Sequence, residues 1–287
     1  MQPAPHDSTR RRARWWKELL IVAAFYGVYS YSRNQFGSDK LGTGAEPVES
    51  FGNAVRVIRW ERDLGLFREH AIQRWFLAWH WFLRFWNVYY GSAHFVVTVA
   101  AFIWLYVRNH ERFPRWRNTL AFTTAHAIVG FSFFPLMPPR LLDNTTRYGG
   151  ARLAQVQHVP DYGFVDTLER DGGLWSFDSG PMTRLSNQYA AMPSLHTAWA
   201  TWCSLVMWPL VRRRWAKALV LLYPLATVFC IVVTANHYWI DGVAGLVTLG
   251  AGMVLGRGLD RWHRRRALVT VDATEPAVTV RDSVTLP

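Results

Sequence analysis

The chain has 287 residues, 51% of them hydrophobic and 15% aromatic, with 16 tryptophans and a formal net charge of +12. A water-soluble core of this size could not bury that aromatic load without leaving large exposed patches, whereas Trp and Tyr suit the headgroup zone of a bilayer. The positive charge gathers at the ends of apolar runs and not on one face of a soluble module, which excludes nucleic acid as a partner and points to a membrane and an anionic substrate.

In chain order, a basic head over residues 1–17 carries Arg10, Arg11, Arg12, Arg14 and Lys17, and Leu19 to Tyr31 follows as an apolar run. No Ala-x-Ala cleavage pattern comes after it, so it reads as an uncleaved first membrane helix and not as a signal peptide. Residues 37–51, rich in Gly, Asp, Glu and Pro, read as a polar loop. Residues 56–90 set Trp60, Trp75, Phe76, Trp79, Trp81, Phe82, Phe85 and Trp86 at roughly helical spacing, broken by Arg68, Glu69, Arg74 and Arg84. That pattern predicts an amphipathic helix lying in the interface. Five further segments, 92–107, 118–137, 193–211, 216–236 and 239–256, approach the ~20 apolar residues that a spanning helix needs.

The predicted fold class is therefore all-α: a polytopic membrane protein with six transmembrane helices plus an amphipathic interfacial helix. Its membrane domain covers 18–258, and a basic flank and disordered cytoplasmic tail cover 259–287. Gly252 and Gly256 in the last span have the small-xxx-small spacing of closely packed helices. Cys203 and Cys230 fall inside apolar stretches and read as buried thiols without a chemical role.

Arginines collect at the head, at 108–117, at 212–217 and at 257–266, all on one side if both termini are cytoplasmic. The opposite, extracytoplasmic side then holds the interfacial helix, the 138–192 loop and the short turn before the last span. Three polar segments, 134–142, 191–198 and 235–245, fall at one membrane depth on that side, and this co-location marks a single site.

Within it His237 and Asp241 are four residues apart, so on a helix the carboxylate can accept the imidazole N–H and leave the other ring nitrogen free and basic, as a nucleophile toward phosphorus requires. His196 follows Pro193 at a helix start, where free backbone N–H groups at Ser194, Leu195 and His196 suit an anion and the histidine could protonate a leaving alkoxide. Arg140, directly after Pro138-Pro139, could grip a phosphate with two parallel hydrogen bonds. Arg184 and Arg147 are further candidates for that task.

The segments Pro193-Ser-Leu-His196 and His237-Tyr-x-x-Asp241-x-x-Ala-Gly245 resemble the type 2 phosphatidic acid phosphatase (PAP2) superfamily, and specifically its branch similar to fungal inositol phosphorylceramide synthase. The resemblance covers residues 55 to 258. It implies a six-helix membrane bundle in which His237 forms a phosphohistidine, Asp241 orients it, and His196 protonates the leaving group, with no cofactor and no metal. The sequence departs from the phosphatase pattern at Leu195, where a Gly is usual, at Cys230-Ile231, where a Ser-Arg pair is usual, and in lacking the Lys-and-Arg first motif. Leu before the histidine is what the synthase-like branch shows.

The function expected is thus a membrane lipid phosphatase or phosphotransferase acting on a phospholipid, a prenyl (di)phosphate or a phosphoinositol-type lipid. Two alternatives keep the same residues: a metal-dependent membrane hydrolase with His196, His237 and Asp241 as ligands, and a non-enzymatic membrane carrier or scaffold. The excess of Arg over Lys points to a bacterial plasma membrane. The lipid and the oligomeric state stay open at this stage.

Overall fold

A computed structural model describes residues 47–146, 148–173 and 188–272, with isolated positions between 16 and 28. The arginines of the basic head, about half of the first predicted span, Arg147 and Arg184 lie outside the described residues. The described elements are helices: α1 Val48–Asp63, α2 Glu69–Phe76, α3 His80–Arg108, α4 Phe113–Phe133, α5 Pro139–Leu142, α6 Ala151–Val156, α7 Thr167–Asp171, α8 Leu195–Met207, α9 Arg214–Val233 and α10 Trp239–Asp272.

Three of them are long and apolar enough to cross a membrane: α3, α9 and the Trp239–His263 part of α10. The predicted spans at 92–107, 216–236 and 239–256 fall on these. The predicted spans at 118–137 and 193–211 are helical, as α4 and α8, but do not meet that measure. With 13 residues α8 extends only about 20 Å, short of a ~30 Å hydrocarbon layer. Of the five predicted spans that lie within the described residues, three are thus long and apolar enough to cross a membrane. The predicted interfacial helix over 56–90 also changes. It is divided into α1, α2 and the first turns of α3, because Gly65 turns the chain at φ +69° and Leu66 and Phe67 both donate to the Glu61 carbonyl, at 2.7 and 3.2 Å. From His80 onward its aromatic residues belong to the helix that runs on to Arg108.

Two apolar cores divide the molecule. One sits among the long helices and holds Leu105, Phe113, Trp116, Trp202, Val206 and Leu249. The other packs α1 and the 136–164 loops against the turn before α10, with Phe51, Ile58, Met137, Leu142, Phe164 and Tyr238. On α3, α9 and α10 large apolar side chains such as Ile103, Leu222, Leu225 and Val247 face outward, as on helices with lipid around them. The Gly252 and Gly256 spacing is used: a Cβ at Gly252 would meet Thr123 Oγ1, and one at Gly256 would lie 2.8 Å from Thr119 Oγ1, so α10 and α4 touch almost backbone to backbone. Cys203 and Cys230 are free and buried, with Cys203 Sγ 3.5 Å from Thr98 Oγ1 and Cys230 donating to the Trp86 carbonyl at 3.2 Å.

Basic residues occupy the helix ends remote from the polar segments. Arg115 lies in the field of Arg112, Arg257 and Arg261, Lys217 sits 4.9 Å from the Trp208 ring, and Arg108 ends α3 about 21 Å beyond His94.

Candidate active site

The chain leaves α9 at Val233 and turns sharply before α10. Asn236 and His237 both donate to the Ile231 carbonyl, at 2.9 and 3.1 Å, and Ala235 takes a left-handed φ of +52°. A non-glycine residue pays roughly 1–2 kcal/mol for that conformation, and the buried surroundings hold it there. The turn presents the His237 ring inward, 3% exposed. Nδ1 lies 2.9 Å from the Ala191 carbonyl and 3.3 Å from Asp241 Oδ2. Both partners accept, so Nδ1 carries the hydrogen and Nε2 keeps its lone pair. Nε2 is buried and makes no hydrogen bond. The contact to Asp241 forms although His237 precedes the helix and Asp241 lies in its first turn.

Ser194 caps α8, accepting from Thr197 N at 3.4 Å. Its own N–H donates to the Asp241 carbonyl at 2.9 Å, so the N–H expected to be free for an anion is already engaged. That bond ties the start of α8 to the first turn of α10. Gly245 makes the approach possible, since a Cβ there would collide with the Ser194 carbonyl oxygen.

His196, on the first turn of α8, comes within 5.5 Å of His237, centroid to centroid. Its Nε2 is also buried and without a hydrogen bond. Two residues that the sequence reading passed over complete this cluster: Tyr90 stacks on His196 at 4.3 Å, and the His94 ring lies 4.2 Å from that of His196, with Nδ1 3.0 Å from the Tyr90 carbonyl. A Tyr and a His four residues apart on one face of an apolar span were the available signal.

Arg140 is brought to the same neighbourhood but is fully engaged. Nε donates to Asn236 Oδ1 at 3.0 Å, Nη1 to Asp166 Oδ2 at 2.5 Å and Nη2 to Gln188 Oε1 at 2.6 Å. Its backbone N–H donates to the Ala235 carbonyl at 2.8 Å. With 5% exposure and its charge paired, it braces the turn that carries His237 and presents no open fork to a phosphate. Removing one partner of a buried pair costs about 3–5 kcal/mol. Arg140→Met is therefore expected to lower the melting temperature strongly, and adding Asp166→Asn to recover part of the loss, as thermal melts in detergent would read.

A nucleophilic nitrogen backed by a carboxylate, with a second imidazole a few ångströms away, can attack an electrophile and protonate what leaves. Among the described residues no group of three or more His, Cys, Asp or Glu side chains is placed to hold a metal ion. The family model of the PAP2 superfamily matches residues 55–255, and no curated protein and no solved structure matches the chain.

Proposed function

Since this chain belongs to the PAP2 superfamily, whose members are generally phosphatases or phosphotransferases, we propose that it is an integral membrane enzyme that moves a phosphate group on a lipid substrate. The observation that carries the reading is the pair of imidazoles 5.5 Å apart, each with a buried and unpartnered Nε2 and one backed by Asp241. His237 Nε2 attacks phosphorus, the bond from phosphorus to the lipid oxygen breaks, and His196 gives that oxygen its proton. Burial, with His94 and His237 beside it, keeps the His196 ring neutral on its own, so the anionic phosphate must bring this proton on as it binds. Water or an alcohol then attacks the phosphohistidine, His196 takes the proton back, and the phosphorus–nitrogen bond breaks to free His237. Asp241 stays ionised and holds the Nδ1 hydrogen throughout.

Leu195 in the position before His196, and the absence of the phosphatase cations, favour the inositol phosphorylceramide synthase-like branch, in which the acceptor is an alcohol. Of the residues expected to contact phosphate, Arg184 is left for that task, while Ser194 and Arg140 take it on only by giving up their bonds to Asp241 and to Asn236, Asp166 and Gln188. The remote basic helix ends favour a cytoplasmic side there and an extracytoplasmic site, in a bacterial plasma membrane.

Quenching the purified protein in detergent during turnover of a radiolabelled lipid phosphate is expected to trap an acid-labile, alkali-stable phosphoryl group on the peptide containing His237. Turnover is expected to continue in chelator. Loss of activity in chelator, restored by a divalent ion, would replace this reading with a metal-dependent one.

A further inference from the structure

The first turn of α10 is held in an unusual way. Three successive backbone N–H groups each meet a carboxyl: Tyr238 donates to Asp241 Oδ2 at 2.9 Å, Trp239 to Glu69 Oε1 at 3.2 Å and Ile240 to Glu61 Oε1 at 2.9 Å. Glu69 and Glu61 stand 170 and 179 positions away in the chain, on α2 and α1. Both are completely buried, and Glu69 Oε2 also accepts from Arg68 N at 2.9 Å. A helix start has free N–H groups and a partial positive charge, so it attracts carboxylates. Three buried carboxylates so close cannot all ionise, however. Glu61 Oε2 has no donor near it and faces Glu69, which a proton on Glu61 would turn into a hydrogen bond.

We infer that Glu61 and Glu69 are positioning residues of the phosphoryl-transfer site: the two buried side chains, each accepting from a backbone N–H at the start of α10, fix its first turn so that Asp241 meets His237 Nδ1. The inference rests on the function proposed above. Its reach is short in space, because the same turn carries Asp241, whose Oδ2 is shared between Tyr238 N and His237, and whose carbonyl anchors Ser194 ahead of His196. The ionisable groups facing the pair are Asp241, Tyr238 and, beyond it, Tyr162 with Arg62 5.4 Å from its ring; His237 lies across Asp241. Burial, reinforced by Glu69, pushes Glu61 from an ordinary 4.5 up to about 9. The folded chain therefore holds this proton where the unfolded chain has lost it. The stability it confers is complete below pH 4.5 and is lost as pH climbs to about 9.

The test is the pH profile of kcat and of the melting temperature for the full chain in detergent, comparing wild type with Glu61→Gln, Glu69→Gln and His237→Ala. Gln at position 61 keeps an acceptor for Ile240 N–H and offers Glu69 a permanent donor. The alkaline fall in kcat near pH 9 is therefore expected to vanish in Glu61→Gln, and its melting temperature to lose the downward slope with pH. In Glu69→Gln kcat is expected to drop on the order of tenfold or more with KM unchanged, since misplacing a catalytic pair slows the step and not the binding. An alkaline limb in Glu61→Gln identical to wild type, or a Glu69→Gln enzyme with wild-type kcat, overturns the inference while leaving an inactive His237→Ala to support the proposed function. Full activity in His237→Ala overturns both.

Discussion

Replacing His237 by alanine is expected to slow phosphate release from a lipid phosphate by on the order of 10⁴–10⁶-fold, the loss typical of removing a nucleophile from a catalytic group that acts as a unit. The geometry makes the variant a clean one. The His237 ring makes hydrogen bonds only through Nδ1, to the Ala191 carbonyl and Asp241, and Asp241 keeps its bond from Tyr238 N when the imidazole is gone. The fold should therefore survive, and a melting temperature close to wild type would show that chemistry alone was removed. His196→Ala is expected to cost about 10²–10⁴-fold, the range of a general acid, and to cost least on substrates whose leaving group needs no proton. Measuring both variants on a lipid phosphate and on an activated aryl phosphate separates the roles. Equal losses on both substrates for His196→Ala would refute the acid assignment.

A single methyl group at Gly245 is expected to be nearly as damaging. The Cβ of Gly245→Ala would fall on the Ser194 carbonyl, a backbone atom that cannot swing aside. Either α8 or α10 must shift, and Ser194 N is bonded to the Asp241 carbonyl while His196 sits two residues on. Displacing one imidazole from the other by about 1 Å costs on the order of 100-fold in rate, and the overpacking itself costs about 1–3 kcal/mol. Gly250, on the same helix, has open space where its Cβ would go. Alanine there is expected to be neutral or to stabilise by up to about 1 kcal/mol, because it removes backbone freedom from the unfolded chain. Parallel melts and kcat values for Gly245→Ala and Gly250→Ala check the contrast, and equal behaviour of the two would show that the helix contact does not set the site.

Membership of the superfamily, the helical class and the three long apolar helices were legible from composition, run length and two short motifs. So was the His237–Asp241 contact, because four residues bring side chains together across a helix start as they do within a helix. The exact segmentation of 56–90 was not legible: one glycine and the shared Glu61 carbonyl divide it, and hydrophobic periodicity does not register such local bonds.

What the sequence by itself determined is which residues could do chemistry and which of the apolar segments are long helices, since charge and apolar length act locally along the chain. Only the tertiary structure decided which of them are available for it. Arg140 looked open in one dimension and is closed in three by Asn236, Asp166 and Gln188. Tyr90 fell at the end of the predicted interfacial helix and His94 in the span after it, and both rings lie against His196. Glu69 stood in the sequence as a charge interrupting the amphipathic pattern of 56–90, and it is buried with Glu61 against the start of α10. The physical reason is common to all three cases: a hydrogen bond, ion pair or ring contact depends on which partner packing brings within a few ångströms, and for these residues the partner lies dozens of positions away in the chain.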